Sequence, residues 1–264
     1  MHFRMSRSAT ALAALLAGAA LSACGGGGLG AGMGSSPVPT TASPGGIWRG
    51  TDPYTGDPLL GIVTETGQFT FIRTTDGAQY VGGLSAAGTA LSGSFTGVLP
   101  VGETFQDGST FGSGTISGTF AAQQSISAGI SFTTAGNTNL GSNPLSLTFD
   151  SLYDVGSSLA AIAGSYVDSA SVSVVNVNAN GAIFIQDGAT GCAVNGLAGL
   201  IDPAYDAYQV DLAFANCTGS FAALNGSTAT GLAVLDTTAT PNVLYVGVQN
   251  LAAHFVLSAA YQRQ

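Results

Sequence analysis

The stretch that decides the fold is GIWRGTDPYTGDPLLGIVTETGQFTFIRTTDGAQYVGGL (residues 46–84), in which short apolar runs alternate with turn residues. In the run QFTFIR, Phe69 and Phe71 fall on the same face of an extended chain, as expected for a half-buried strand. The pair Asp76-Gly77 that follows is typical of a tight turn between adjacent antiparallel strands. The stretch therefore predicts an antiparallel meander.

A second stretch, GSYVDSASVSVVNVNANGAIFIQDGATGCAVNGL (residues 164–197), has the same order of features. Both stretches open with glycine followed two residues later by an aromatic residue, Trp48 or Tyr166. Both then run through an apolar strand to a turn glycine, Gly67 or Gly181, and on through an aromatic-aliphatic strand and an Asp-Gly turn. We interpret this correspondence as an internal repeat.

Residues 46–264 continue in the same pattern, with about eight candidate strands in each half. Each repeated stretch closes with Gly-Leu, and the last glycine follows the turn glycine by 16 residues in the first half and 15 in the second. The predicted fold class is all-β, with two small antiparallel β-barrel-like domains of about eight strands each in tandem. Closure of each sheet would remove exposed edges, which matters in a chain with few charged residues. A single β-barrel or sandwich is the alternative.

The boundary between the two domains is expected within residues 150–166. We place the first β-barrel-like domain at 46–155 and the second at 156–264. The run SSLAAIAG inside this boundary predicts one helical turn, with Ser157 or Ser158 as its N-cap.

The N-terminal residues predict an export signal. Arg4 and Arg7 precede an apolar run at 9–20, which is shorter than the roughly 20 residues that a membrane-spanning helix needs. The run leads into Leu-Ser-Ala-Cys, in which an aliphatic residue and two small residues precede Cys24. This motif resembles the lipobox of bacterial lipoproteins.

The resemblance implies removal of a signal peptide at 1–23 and attachment of diacylglycerol to the Cys24 sulfur, with a fatty acid such as palmitate on the new amino group. Residues 24–45, rich in Gly, Ser, Thr and Pro, would then form a flexible tether. By analogy with lipoprotein sorting, Gly25 after the cysteine favours the outer membrane. The expected partner is therefore the membrane, through an N-terminal lipid anchor in the cell envelope.

The charge of the chain argues against nucleic acid as a partner. The sequence has no lysine, five arginines and a formal net charge of −9 at pH 7. Binding to phosphates requires a basic surface, which this composition does not provide.

The two cysteines that follow Cys24 are Cys192 and Cys217. In an exported protein, a single pair of this kind predicts a disulfide. Folding the segment between them as a hairpin with Ile201 opposite Tyr208 also places the two cysteines opposite each other, within bridging distance.

The sequence contains no recognisable catalytic constellation, metal-ligand cluster or cofactor motif. The mature chain has one histidine, His254, which we interpret as a strand residue in a barrel wall. No Gly-x-Ser-x-Gly elbow is present. Tyr54 and Tyr205 lie in proline-flanked loops and are the candidate binding-surface residues.

The expected function is that of a non-enzymatic lipoprotein that presents β-domains for binding a protein or small-molecule partner, or for support of the envelope. One alternative is a carrier that holds a small apolar ligand inside a barrel. A hollow interior of a few hundred Å³ would favour that carrier, and a filled interior would oppose it. The other alternative is an envelope hydrolase, which would need His254 beside a serine and an aspartate.

Overall fold

A computed structural model describes residues 43–168, 173–188 and 190–264 of the chain. The strands form two closed antiparallel barrels, and in each barrel the strands follow one another around the wall in sequence order. This confirms the predicted all-β tandem of two eight-stranded barrels. The predicted signal peptide, Cys24 and most of the tether lie outside the described residues. Both barrels belong to one compact unit.

The first barrel closes where its last strand pairs with its first, so that Ile47 lies opposite Asp150. Its strands are β1 (Gly46–Thr51), β2 (Pro58–Val63), β3 (Gln68–Arg73), β4 (Gln79–Ala87), β5 (Ala90–Val98), β6 (Phe111–Ala121), β7 (Ser125–Thr134) and β8 (Asn139–Asp150).

The second barrel closes in the same way, with Tyr261 opposite Asp168. Its strands are β9 (Gly164–Asp168), β10 (Val174–Val177), β11 (Ala182–Gln186), β12 (Ala193–Leu200), β13 (Tyr208–Ala215), β14 (Thr228–Asp236), β15 (Val243–Asn250) and β16 (Phe255–Arg263).

The connection between the barrels contains a first 3₁₀ helix, Ser151–Val155, and a short helix α1, Leu159–Ile162. Ser158 is the N-cap of α1, and its hydroxyl accepts a hydrogen bond from the Ala161 N–H. The predicted helical turn and its cap are thus confirmed.

The two barrels repeat the same local contacts near their first strands. The Trp48 indole N–H donates to the carbonyl of Pro44, and the Tyr166 hydroxyl donates to the carbonyl of Ile162, so each aromatic residue bonds the residue four positions earlier. Both side chains are completely buried. Matched contacts of this kind support the interpretation of the halves as a repeat.

The turn glycines also occupy equivalent positions, with φ of +84° at Gly67 and +85° at Gly181. The Gly67 carbonyl accepts from the Leu84 N–H, and the Gly181 carbonyl accepts from the Ala198 N–H. The structural equivalent of Leu84 is therefore Ala198, which explains why the spacing from turn glycine to Gly-Leu is one residue shorter in the second half. The two leucines of the Gly-Leu endings lie on opposite faces of the barrel wall. Leu84 is 5 % exposed on the inner face, whereas Leu197 is 54 % exposed on the outer face.

Gly67→Ala is expected to destabilise the protein by about 2 kcal/mol, because a Cβ here would need a positive φ and would lie 2.1 Å from the Leu84 carbonyl oxygen. Gly83→Ala is the matched control, since Gly83 pairs with Gln68 in the same hairpin and has open space around its Cβ position. Urea denaturation should show little change, or a slight stabilisation, for the control. Equal effects of the two substitutions would contradict the turn geometry.

The barrels pack against each other through an apolar cluster that we call the inter-barrel cluster. Its buried members are Ile47, Leu60, Ile62, Leu152, Tyr153, Ala207, Leu232 and Val234. Polar contacts reinforce it: the Gln79 side-chain amide donates to the Leu257 carbonyl at 2.9 Å and to the Val248 carbonyl at 3.4 Å. Several outward-facing apolar side chains of each barrel are buried in this cluster. Their removal from water holds the two barrels together as one unit.

Candidate functional site

The second barrel is hollow. Its interior contains a cavity of about 240 Å³, and all eight strands β9–β16 contribute to its lining. Most lining side chains are aliphatic or aromatic, including Val175, Ile183, Val210, Leu244 and Val248. The cavity is therefore an apolar space inside the barrel core, as in small barrels that hold a single ligand.

The first barrel, in contrast, is filled by aromatic rings. The Phe132 ring lies against those of Tyr54, Tyr80, Phe95 and Phe105, with centroid separations of 5.4–6.3 Å. The aromatic members of this core are Trp48, Phe69, Phe71, Tyr80, Phe95, Phe120 and Phe132, with Tyr54, Phe105 and Phe149 at its margin. The second core holds fewer, namely Tyr166, Tyr208, Phe214 and Phe255, with Phe221 and Tyr261 at its margin.

The difference is clearest in the hairpin that follows each turn glycine. Here the inward-facing residues of β3 and β4 are larger than their equivalents in β11 and β12. The pairs are Phe69 and Ile183, Phe71 and Ile185, Tyr80 and Val194, and Leu84 and Ala198. The four smaller residues all line the cavity. The next strand restores part of the missing side-chain volume, because β13 has Val210 and Phe214 at the positions where β5 has Gly93 and Gly97.

Short helices contribute to the cavity at both ends of the barrel. At the end where β9 begins, Ile162 of α1 lines it. At the opposite end, a second 3₁₀ helix, Gly219–Leu224, contributes Phe221 and Leu224. One of the candidate strands expected from the sequence of the second half covers 221–235, but β14 begins only at Thr228. Gly219, with φ of +60°, and Asn225, whose side chain bonds both backbone groups of Cys217, hold the segment out of the sheet.

Cys192 lines the cavity and forms the predicted disulfide with Cys217, with 2.12 Å between the two sulfurs. The register of the hairpin differs from the prediction by one residue, since Leu200, and not Ile201, lies opposite Tyr208. The extra residue is taken up by Asn216, which has a left-handed φ of +58° and lets Cys217 turn back to its partner.

Polar side chains gather in one region of the lining, which we call the acidic end: Asp168, Asp187, Thr190 and Tyr261. Asp168 ends β9 and Asp187 directly follows β11, and these two strands lie on either side of β10. The Thr190 hydroxyl donates to the Asp187 carboxylate at 2.7 Å. Burial raises the pKa of Tyr261, and the charges of Asp168 and Asp187 raise it further, so the phenol stays neutral in the physiological range. The cavity thus combines an apolar body with one polar end.

Sequence reasoning did not identify these four residues. The signal that was available is that an aspartate ends β9, at Asp168, and another directly follows β11, at Asp187. Whether those side chains face inward depends on the register and closure of the barrel, which the sequence alone did not specify.

Neither predicted binding-surface residue lies in the cavity lining. Tyr54 is half-buried in the first barrel, and its hydroxyl donates to the Ile130 carbonyl at 3.0 Å. Tyr205 is half-buried against the inter-barrel cluster and stacks on Tyr153 at 4.6 Å between ring centroids. The structure therefore places the two tyrosines on different barrels, each in a packing role.

His254 does not lie in a strand, contrary to the prediction. It ends the turn before β16, with φ of +52°, and its ring stacks on Phe111 of the first barrel at 3.5 Å. Its buried Nδ1 has no hydrogen-bond partner among the described residues. A catalytic triad requires this kind of nitrogen to be bonded to a carboxylate. His254 is also absent from the cavity lining.

Within the described ranges, no group of three or more His, Cys, Asp or Glu side chains is arranged to hold a metal ion. None of the helices in the described part of the chain has the length and apolar character needed to cross a membrane. Comparisons of the chain with protein families, curated proteins and solved structures found no match.

Proposed function

We propose that this protein is a lipid-anchored carrier that binds a small apolar ligand inside its second barrel. The observation that carries the proposal is the 240 Å³ cavity with its aliphatic lining. The lipobox-like motif ending at Cys24 supplies the anchor in this proposal, and the tether after it would let the barrels stand away from the lipid surface.

The size of the cavity sets the size of the ligand. An engineered apolar cavity of about 150 Å³ accommodates benzene, which has six carbon atoms. In proportion, this cavity accommodates roughly ten non-hydrogen atoms. Transfer of that apolar surface from water would drive binding. Suitable probes are therefore naphthalene and 1-octanol.

The contrast between the barrels supports a binding role for the hollow one. The first barrel has the same strand topology and a filled interior, so the fold itself does not require a cavity. The second barrel keeps the closed wall and adds a disulfide, Cys192–Cys217, at one end. It leaves apolar surface facing empty space, which costs stability in a domain with no ligand.

Ala198→Leu is expected to weaken binding of 1-octanol and naphthalene at least tenfold, because it introduces the side chain that Leu84 has in the filled barrel. Ile185→Phe, which copies Phe71, should act in the same direction. Titration calorimetry on the mature chain measures the affinities. In the unmutated protein, ligand at 100 times its Kd should also stabilise the fold by about 2.7 kcal/mol.

Ala213→Leu is the matched control, because Ala213 is exposed on the outer face of β13. It should leave both affinities unchanged. Absence of saturable binding of either probe to the unmutated chain would refute the carrier. Equal loss in the control and in Ala198→Leu would also contradict binding inside the barrel.

A further inference from the structure

The cavity of the second barrel is long and narrow. On β13, every inward-facing residue lines it, from Tyr208 beside α1 to Phe214 near the disulfide. The distance from residue 208 to residue 214 is about 20 Å along a strand, or about 15 Å along the axis of a barrel with tilted strands. Ile162 and Leu224 line the cavity at its two ends. The cavity therefore extends through the barrel from one short helix to the other.

The mean cross-section of the cavity follows from its volume and its length. A volume of about 240 Å³ over about 15 Å gives a cross-section of about 16 Å², which corresponds to a width of roughly 4–5 Å. A single polymethylene chain has this width, because non-bonded carbon atoms approach each other to about 3.5–4.0 Å. A saturated ring is wider than a chain in two directions. The cavity therefore matches the outline of one extended alkyl chain and not that of a compact ring.

The wall of the cavity resists widening. Valine and isoleucine predominate among the aliphatic residues that the strands contribute to the lining, as at Val175, Ile183, Val194, Val210 and Val246. Such β-branched side chains have few accessible rotamers, so they do not readily turn aside to admit a wider ligand. The sheet behind them is closed, so two strands cannot separate without breaking backbone hydrogen bonds. The width of the cavity is therefore set by the fold.

We propose that the ligand of the second barrel carries an unbranched alkyl chain, which lies extended along the barrel axis. This inference rests on the proposed carrier function and specifies the shape of its ligand. An extended chain removes each methylene group from water without displacing the wall, whereas a compact ring with the same number of carbon atoms would have to push the wall outward. Naphthalene lies between these cases, because it is as thin as a chain and exceeds a chain only in width.

1-Octanol and cyclooctanol separate the two shapes, because each has eight carbon atoms and one hydroxyl group. Titration calorimetry on the mature chain at pH 7 measures both affinities, and each is corrected for the partition of that alcohol between water and octane. After this correction, we expect 1-octanol to bind at least tenfold more tightly than cyclooctanol. Equal or tighter binding of cyclooctanol would overturn the inference and leave the carrier standing. If neither alcohol binds, the proposed function itself fails.

A series of 1-alkanols with six to fourteen carbon atoms measures the length of the site. The affinity should rise about fourfold with each methylene group while the chain still gains contact with the wall. Beyond about ten to twelve carbon atoms it should level off or fall, because the chain then reaches both ends of a cavity about 15 Å long. A constant rise through fourteen carbon atoms would overturn the inference, since such a chain could not lie inside the barrel.

A free alcohol and one chain of a larger lipid present the same alkyl group to the cavity. 1-Decanol and decanoyl lysophosphatidylcholine, titrated separately below the concentration at which the lipid forms micelles, distinguish these sources. Binding of 1-decanol alone identifies a free single-chain compound as the ligand. Equal binding of the two identifies the chain of a larger lipid whose headgroup stays outside the barrel. Both results support a site for an alkyl chain.

Val210→Ala tests the width of the cavity, because Val210 lines its middle part and truncation widens it there. This variant should reduce the preference for 1-octanol over cyclooctanol several-fold. Leu197→Ala is the matched control, because Leu197 is exposed on the outer face of the neighbouring strand β12. It should leave the preference unchanged, and an equal loss in both variants would overturn the inference. The comparison of the two alcohols on the unmutated chain needs no variant to fold.

Discussion

Phe132→Ala is expected to lower the free energy of unfolding by about 3–5 kcal/mol, the largest effect that we anticipate for a single side chain. Phe132 is buried in the first barrel, and its ring lies parallel to Phe95 at 6.0 Å between centroids. Removing it would leave several neighbouring rings facing a void that the closed wall cannot collapse to fill. Both the lost burial and the unfilled space therefore contribute to the cost.

Urea denaturation measures this cost, and Phe184→Ala is its control. Phe184 is 47 % exposed on the outer face of β11, so its truncation should change stability by less than about 0.5 kcal/mol. The void left by Phe132→Ala should also admit benzene, which would then raise the Tm of the variant and not that of the parent. A loss below 1 kcal/mol, or no effect of benzene on the variant, would contradict a filled first barrel.

Asp206→Asn is expected to stabilise the protein at pH 8 by roughly 2–4 kcal/mol and to have little effect near pH 4. Asp206 is 2 % exposed and follows Tyr205 in the loop at the inter-barrel cluster, and its Oδ2 has no hydrogen-bond partner among the described residues. Burial raises the pKa of this carboxyl to about 7, and the nearby charge of Asp236 adds to the effect. A pKa raised from 3.8 to about 7 corresponds to roughly 4 kcal/mol at most.

The direction in which stability changes with pH follows from the number of protons bound by the folded and unfolded chains. Below pH 3.8, Asp206 is protonated in both the folded and the unfolded chain, and its stability contribution is at its full value. Between about pH 4 and pH 7, the unfolded chain releases the proton while the folded chain keeps it, so stability falls as pH rises. Above about pH 7 the carboxyl is ionised in both states, so the stability lost through Asp206 no longer changes with pH. Asparagine cannot ionise, so the variant does not suffer this loss.

The quantity to measure is the difference in unfolding free energy between Asp206→Asn and the parent across pH 4–8, since carboxyl groups far from Asp206 contribute equally to both proteins and cancel. This difference should grow with pH by several kcal/mol. Asp211→Asn, at an exposed site in β13, should give a nearly flat difference. A flat difference for Asp206→Asn as well would show that this carboxyl is ionised in the folded protein at pH 4–7.

The fold was predictable because its determinants are local. Turn glycines such as Gly67 and Gly181 and the alternation of apolar residues specify antiparallel neighbours, and a meander needs little other information. The errors occurred where a single backbone conformation changes the pairing. Asn216 shifts the register beside the disulfide, and Gly219 with Asn225 turns an expected strand into a 3₁₀ helix.

The cavity was not predictable for a different reason. A cavity is a small difference between the volume that a closed wall encloses and the volume of the side chains inside it. Small residues at Val194 and Ala198 suggest a void, but Phe214 fills part of the space where the first barrel has Gly97. The cavity volume therefore follows only from the complete set of inward-facing residues in the correct register. The acidic end was missed for the same reason, because Asp187 contributes to it only through its inward orientation.

The closure of each barrel has a consequence for how the protein could have arisen. Because β1 pairs with β8, and β9 with β16, the chain enters and leaves each barrel at neighbouring strands. A gene segment encoding such a unit can be copied head to tail with only a short connector, here residues 151–163, and neither copy has to open its wall. Once two copies exist, the filled one preserves a folded scaffold while the other is free to accumulate substitutions in its interior. The hollow barrel is then the copy on which selection for a ligand could act.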